Sequence, residues 1–503
     1  MKYIAAFDIG STNVKGVLVN EEAAIFFEKN VPIEIDYTGG LVEQDPETWY
    51  KAVVRIAEDW FRSGIKPQHI ALISFSGQMQ DCIAVGEDGA AVRPAILYSD
   101  GRGDEQAKRL RQELGEETIT RETENHMDGT LTFPKILWMQ EHEREHYNKT
   151  RSFLISSKDY VIAKLTGAFV TDPTSAATSG GMNIRSRTWM NGWFEQFGLD
   201  PTKLPAIIPS DQVAGVVHDK GQAESGFAAG TPVLCGIGDA GSATLGAGVY
   251  RDGEIYAYIG TTGWVAAASG GFMDVQNGAF NLSYVEADRQ IAIAPLTNAG
   301  NAHKWAVEVF GPAAAGQLSP SIAFKEFEQA LDKVVRGSSD SVLFLPYLNG
   351  ERCPIQDLNA SGCFIGLTAT TTRARMGAAV LEGVAMAIRQ VMELIVEPGT
   401  ELRVTLIGGG AKSAAWCRII ADVLQCELVV PEDSQFLPSI GAAILGFSTL
   451  GWGSDYAALC AKLKAAQKVE SFKPDASLAE YYDKQFQKYK QLYPLLAPMF
   501  AMN

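Results

Sequence analysis

The stretch YIAAFDIGSTNVKGVLV, residues 3–19, decides the fold. Its flanks, Ile4-Ala5-Ala6-Phe7 and Val14 to Val19, have the pattern of two buried β-strands, and Asp8-Ile9-Gly10-Ser11-Thr12-Asn13 supplies the turn between them. The product is a hairpin with a carboxylate and two hydroxyls at its tip. Asp, Ser, Thr and Gly are ordinary turn formers, so one such hairpin carries little information by itself. A second one is present. In GEIYAYIGTTGWVAAAS, residues 253–269, strands at Glu254 to Ile259 and Trp264 to Ala268 flank Gly260-Thr261-Thr262-Gly263. The same device opens each half of the chain, which predicts two related domains facing each other.

The bulk properties agree with that division. A chain of 503 residues, 46% apolar and 20% charged, exceeds what one core serves, so two or three domains are expected. No run approaches the roughly 18 uncharged apolar residues of a membrane span, and Met-Lys-Tyr leads straight into a strand without a signal-peptide layout, so a cytosolic location is expected. The seven cysteines include no C-x-x-C pair and read as reduced core thiols rather than a disulfide framework or zinc knuckle. A formal net charge of −16 works against nucleic acid and anionic membranes as partners, because phosphate backbones reward the opposite sign. A phosphate ligand here must be held by local amides and a metal.

Along the chain, Asp45-Pro46-Glu47 has the form of a helix start, and Trp49, Val53, Ile56 and Trp60 recur at helical spacing behind it. A strand, IALISFSG, follows at Ile70 to Gly77, and the rhythm is that of an α/β domain. Residues 103–200, richer in charge and helix formers, read as an inserted lobe. Leu234 to Gly248 reads as a strand, a glycine turn and a small-residue helix. The domain boundary is placed near 245, giving units 1–245 and 246–503. In the second, Met376, Val380, Val384, Ala387 and Val391 mark a long apolar helix. RVTLIGGGAKS gives another strand, with a helix from Ala414. A final helix from Ser477 aligns Leu478, Tyr482, Phe486, Tyr489 and Tyr493 for docking, either on its own domain or back on the first.

Three familiar motifs fail on their chemistry. HEREH at His142 to His146 fits the zinc-protease pattern, but no glutamate from 147 to 194 offers a third ligand and the flanks are charged, so a solvated helix face is expected. Gly236-Ile237-Gly238-Asp239-Ala240-Gly241 fits the dinucleotide fingerprint, yet it places Asp239 in the turn that would approach a pyrophosphate, where like charge is unfavourable. That aspartate suits a neutral hydroxyl better. VTLIGGGAKS lacks the lysine spacing of a P-loop, although three glycines after a buried strand allow close approach of something flat, such as a base and ribose.

With DIGSTNVKGVLV, EQDPETWYKA, ISFSGQMQ, RPAILYSDGR, SKDYVIAKLTG, GIGDAGSATLGAG, IGTTG, FLPYLNGER, FIGLT, AVLEGVAMAIR and LIGGGAKSAAW in order, the chain resembles the FGGY family of carbohydrate kinases nearly end to end, xylulokinases most of all. The resemblance implies an α/β fold of two ribonuclease-H-like domains, of the actin and hexokinase superfamily, facing a central catalytic cleft. It implies ATP and Mg²⁺ as cofactors, a small sugar as substrate and admits a homodimer. Asp239 matches the family's catalytic base, and Asp8 the carboxylate that holds Mg²⁺, often through water. Gly10, Ser11, Thr12 and Asn13 would surround the transferred group, with Lys15 a nearby cation or a structural residue. Gly260, Thr261, Thr262 and Gly263 would grip the phosphates from the other domain, and Gly409, Gly410 and Ala411 would pass along the adenosine. Gln78, Met79 and Gln80 fall on the sugar-contacting loop; Asp100 and Arg102 either contact substrate or brace the pocket.

Two positions depart from the xylulokinase pattern. Gln80 replaces the histidine of G-Q-M-H-G, and Ala240 replaces an asparagine after the catalytic aspartate. Changed hydrogen-bonding partners in a sugar pocket alter selectivity by orders of magnitude. D-Xylulose is the expected substrate, with ribulose, gluconate, an autoinducer or a polyol as alternatives. An actin- or chaperone-type ATPase without sugar phosphorylation and a zinc hydrolase at His142 and His146 are the rival classes.

Overall fold

The computed structural model describes residues 1–274, 277–311, 320–337, 341–396, 402–432 and 434–502. The opening hairpin is β1 (Tyr3–Ile9) and β2 (Asn13–Val19), paired antiparallel with Asp8 opposite Lys15. β3 (Ile25–Pro32) extends it antiparallel on one side, and β4 (Ile70–Gly77) runs parallel to β1 on the other. β5 (Pro232–Leu234) lies parallel beyond β4, and Val213–Val216 closes that edge.

The second sheet repeats the plan. β6 (Ile255–Ile259) and β7 (Gly263–Ser269) form the hairpin, β8 (Gln290–Leu296) pairs antiparallel with β7, and β9 (Arg403–Ile407) and β10 (Glu427–Pro431) continue in parallel from β6. The order β3-β2-β1-β4-β5 thus corresponds to β8-β7-β6-β9-β10, with the same directions throughout. The fold is α/β with two facing domains of mixed sheet, as expected.

Helices cover both sheets. α1 (Pro46–Arg62) starts at Asp45, whose carboxylate accepts the Glu47 N–H at 3.0 Å, and buries Trp49, Val53, Ile56 and Trp60. α2 (Ser157–Thr166) is buried along nearly its whole length and packs on α1 and β4. Part of 103–200, read as an inserted lobe, thus packs in the first domain's own layers, its buried Lys158 paired with Asp159 and Asp172. The segment before it does hold helices, Asp104–Leu114, Glu116–Thr123, Thr132–His142 and Arg144–Lys149. The chain breaks helix at Glu143, so His142 and His146 lie on different helices, and His146 Nδ1 meets Glu143 Oε2 at 3.0 Å. No group of three or more metal-ligating side chains occurs among the described residues.

Two further helices lock the domains together. α3 (Asp239–Gly246) leaves the first sheet, and α4 (Gly300–Phe310), α5 (Arg373–Ile395) and α6 (Ala414–Leu424) belong to the second. α7 (Leu437–Leu450), although late in the chain, packs on α3, β4 and β1, and Ser74 Oγ donates to its Ala442 carbonyl at 2.6 Å. α8 (Ala479–Phe500) buries Tyr482, Phe486 and Tyr489 against α5, α6 and Leu343–Leu345. The element that returns to the first domain is therefore α7 and not the final helix. The α3–α7 crossing depends on glycine: a Cβ on Gly441 would stand 1.9 Å from the Ser242 carbonyl oxygen, and one on Gly246 1.9 Å from that of Leu437. Gly441→Ala is expected to cost roughly 2–3 kcal/mol in urea denaturation; a loss below about 0.5 kcal/mol would show that the two helices part freely.

Among the described residues no helix is long and apolar enough to cross a membrane.

Candidate active site

Asp8 is the penultimate residue of β1 and is buried. Its Oδ1 accepts Ser76 Oγ at 2.9 Å, and Ser76 Oγ in turn accepts Ser242 Oγ at 2.6 Å, so a hydroxyl relay joins the first hairpin to α3. Lys15 Nζ lies 3.6 Å from Asp8 Oδ2, which makes it the carboxylate's immediate partner. The tip is held from behind: Gln44 Nε2 donates to the Ser11 carbonyl at 3.0 Å, and the Ile33 N–H donates to that of Thr12 at 2.9 Å. Gly10 N–H closes the turn on the Asn13 carbonyl, and Thr12 is left exposed to the cleft.

Asp239 is the first residue of α3, and its Oδ1 accepts the N–H of Ala240 at 2.8 Å. A helix N-terminus favours a carboxylate, but burial and then the neighbouring charge of Asp8 outweigh it, and the carboxyl is pushed up to about 7. Asp172 adds to that push and also fixes the backbone here. Its Oδ2 accepts the N–H groups of Thr174, Ser175 and, at 3.4 Å, Gly238, the residue before Asp239. Lys158 Nζ, fully buried on α2, bonds Asp172 Oδ1 at 3.0 Å and Asp159 Oδ1 at 2.6 Å. Met79 packs onto the same turn, where a Cβ on Gly238 would be 2.0 Å from its sulfur.

The loop Gln78 to Asp81 is polar and largely buried. Both amide atoms of Gln78 are buried without a hydrogen-bond partner, as is Asp81 Oδ2. Asp81 Oδ1 accepts the Tyr98 N–H at 3.0 Å, and burial drives this carboxyl well above its usual range. Gln80, at φ 68°, donates from Nε2 to Thr130 Oγ1 at 2.6 Å, and Thr130 leans on Asp128, which His126 meets at 3.0 Å. Arg352, from the second domain, reaches Gln80 Oε1 at 3.4 Å. Lys135 Nζ donates to the carbonyls of Gln80 and Leu97, and burial lowers it to about 8.

Asp100 and Arg102 pair with each other. Arg102 Nε and Nη2 grip Asp100 at 2.8 and 2.6 Å, Nη1 pairs with Glu43 at 2.7 Å, and Val42 N–H donates to Asp100 Oδ2 at 2.7 Å.

On the opposite side, the Gly260 and Thr261 carbonyls accept the N–H groups of Gly300 and Asn301 at 3.1 and 3.0 Å, binding the second hairpin to the start of α4. Thr261 is exposed, Thr262 is half-buried and Gly263 is buried. Gly409 has open space where a Cβ would be, while Gly410 lies against Ile259. Ala411 is buried, with its carbonyl accepting Cys417 Sγ at 3.4 Å, which takes it off the accessible surface expected for an adenosine contact.

Lys158, Asp172, Thr130, Asp128 and Arg352 carry this geometry without having been singled out from the sequence. Asp172-Pro173 has a readable helix-start signature, and its carboxylate does cap Pro173–Ala177. Its second role, bonding a residue far along the chain, leaves no local signal.

Sequence profiles of the N-terminal and C-terminal domains of the FGGY family of carbohydrate kinases match residues 3–246 and 286–450. The xylulose kinase of Bacillus subtilis (strain 168) is 29% identical over 98% of this chain and 97% of its own. The gluconokinase of the same organism is 28% identical over 89% of this chain and 88% of its own. The solved xylulose kinase from Lactobacillus acidophilus superposes over 100% of both chains with a TM-score of 0.88 at 24% identity. Two domains with matching hairpins, a buried carboxyl at a helix start and both family profiles in order lead to one conclusion: the chain belongs to the FGGY family of carbohydrate kinases, enzymes that phosphorylate sugars with ATP.

Proposed function

We propose that the protein transfers the γ-phosphoryl group of Mg·ATP to D-xylulose, with Asp239 as general base. The observation that carries the reading is the position of Asp239: on the side of the cleft that bears the sugar loop, beside the Asp8 hairpin, with a carboxyl near neutrality. As the sugar oxygen bonds the γ-phosphorus and the bridging oxygen leaves with ADP, Asp239 takes the hydroxyl proton. The buried amide of Gln78 is the group suited to the sugar's other hydroxyls, and Gln80, held by Thr130 and Arg352, would have to exchange a partner to reach one. Ser11, Thr12, Thr261 and Thr262 flank the phosphates from the two hairpins, and the open space at Gly409 leaves room for adenosine. The closing domains exclude water that would otherwise accept the phosphoryl group.

Asp8 fits Mg²⁺. This ion keeps several waters and asks for one or two carboxylates plus substrate phosphates rather than a protein cage, and the cleft offers a carboxylate without an assembled ligand cluster among the described residues. Bound there, Mg²⁺ would neutralise phosphate charge.

A ketose suits this cleft better than a sugar acid. Asp8 and Asp128 hold acidic positions at the first hairpin and beside the Gln80 contact, while Lys15 already faces Asp8 and Arg352 faces Gln80. The expected outcome of an ADP-release assay over D-xylulose, D-ribulose, L-ribulose, gluconate, glycerol and arabitol is kcat/KM at least about tenfold higher with D-xylulose than with any other. A preference for gluconate would overturn the substrate, and sugar-independent turnover throughout would overturn phosphorylation of sugars by this chain.

A further inference from the structure

Tyr258 carries a hydroxyl into the cleft from the second domain. It lies on β6 just before the hairpin, and strand alternation puts it on the same face as Tyr256. Tyr256 shows where that face looks: its hydroxyl donates to the carbonyl of Ala240, next to Asp239, at 3.1 Å. Trp264 Nε1 fixes the same hydroxyl at 2.9 Å.

Tyr258 is one strand repeat closer to the hairpin tip, and its electrostatic neighbours are Asp8, Asp239 and Tyr98, all on the first domain. Its ring is pinned on both sides. It stacks on Trp264, its cross-strand partner, with centroids 4.0 Å apart and planes at 11°. Against its edge stands Gly260, where a Cβ would come within 2.7 Å of the ring and 2.8 Å of the hydroxyl oxygen. The hydroxyl therefore lies alongside the second phosphate hairpin while facing the two carboxylates of the first domain. It has no hydrogen-bond partner among the described residues. Burial, then Asp8 and Asp239, push its pKa above the ordinary tyrosine value, so it stays protonated and can donate.

We propose that the Tyr258 hydroxyl donates a hydrogen bond to the phosphoryl group as it crosses from ATP to the acceptor. Tyr258 neither gains nor loses a proton in this step; the oxygen–phosphorus bonds change as described above, and the acceptor's proton still goes to Asp239. The inference rests on the reading that Asp8 and Asp239 flank the transferred group, and it is independent of which sugar is bound.

Tyr258→Phe keeps the stack on Trp264 and removes only the donor. Sugar-dependent kcat is expected to fall roughly 10- to 100-fold, with KM for the sugar within about twofold, because the interaction is made to the group in transfer. Basal hydrolysis of Mg·ATP by water is expected to fall by the same factor, and ADP affinity by calorimetry to stay unchanged. Three results overturn the proposal: kcat within about twofold of the parent, loss of sugar-dependent turnover with basal hydrolysis intact, or loss of ADP binding, which would make the side chain structural. Should the parent prefer another sugar, the substrate reading falls and the variant is compared on that sugar. Should no sugar stimulate turnover, basal hydrolysis still decides.

Discussion

Asp239→Asn is expected to lower sugar-dependent ADP formation by roughly 10²- to 10⁴-fold while leaving ADP affinity intact. Asparagine keeps the side-chain oxygen that accepts the Ala240 N–H and cannot take a proton. The parent's own pH profile checks the same assignment. The base works only when ionised, and its carboxyl is pushed up to about 7, so kcat/KM should decline about tenfold per pH unit below that value. Stability runs the opposite way. The folded protein holds a proton on Asp239 that the unfolded chain has already released above its ordinary carboxylate range, so this residue's contribution falls as pH rises toward about 7. The variant should therefore unfold at a higher temperature than the parent at pH 8 and at nearly the same temperature at pH 4. A pH-independent parent profile, or a variant with more than about a tenth of parental kcat, would place the base elsewhere.

Lys158→Met should be the most damaging single change to stability, by about 3–5 kcal/mol. The ammonium is fully buried between Asp159 and Asp172, and its removal leaves two carboxylates in apolar surroundings without their cation. Burial opposes charge on Lys158, but the two aspartates outweigh it and raise its pKa, so the parental pairing persists throughout the neutral range. In the variant one carboxylate must take up a proton or remain unpaired, and the deficit should widen between pH 5.5 and pH 8. Denaturant titrations at those two values measure it directly. A deficit below about 1 kcal/mol, or one independent of pH, would mean that water or rearrangement replaces the ammonium. Because Asp172 also holds the Gly238 N–H, kcat should fall as well.

The hairpins were readable in the sequence because everything that specifies them is local: alternating apolar strands, a short turn, hydroxyls at its tip. Their repetition gave the two-domain plan. α7 escaped notice for a physical reason. LPSIGAAILGFSTL is buried between two domains and is apolar on nearly every side, so it lacks the one-sided periodicity that reveals a surface helix. β3 was missed for the converse reason, since at the sheet edge it is only partly covered. Asp8 and Asp239 were proposed from the polar turns that follow apolar strands, and the structure sets them in the first hairpin and at the start of α3. The partners of Asp239 were not legible, because Lys158 and Asp172 act across sequence distances that leave no spacing to read. For Asp100 and Arg102 the sequence left contact with substrate and bracing both open, and the structure adds their mutual pairing, which two charged residues in a polar turn do not by themselves announce.

The return of α7 to the first sheet changes what the repeat means for engineering. The two halves repeat one strand plan, but each depends on the other for cover. A gene fragment ending after α3 would encode a sheet whose Ile4 and Leu72 lack the cover that Gly446 and its neighbours supply. The later fragment would carry an apolar helix with no sheet to lie on. The two sheets share one plan, and the packing of α7 on α3, β4 and β1 makes neither complete without the other.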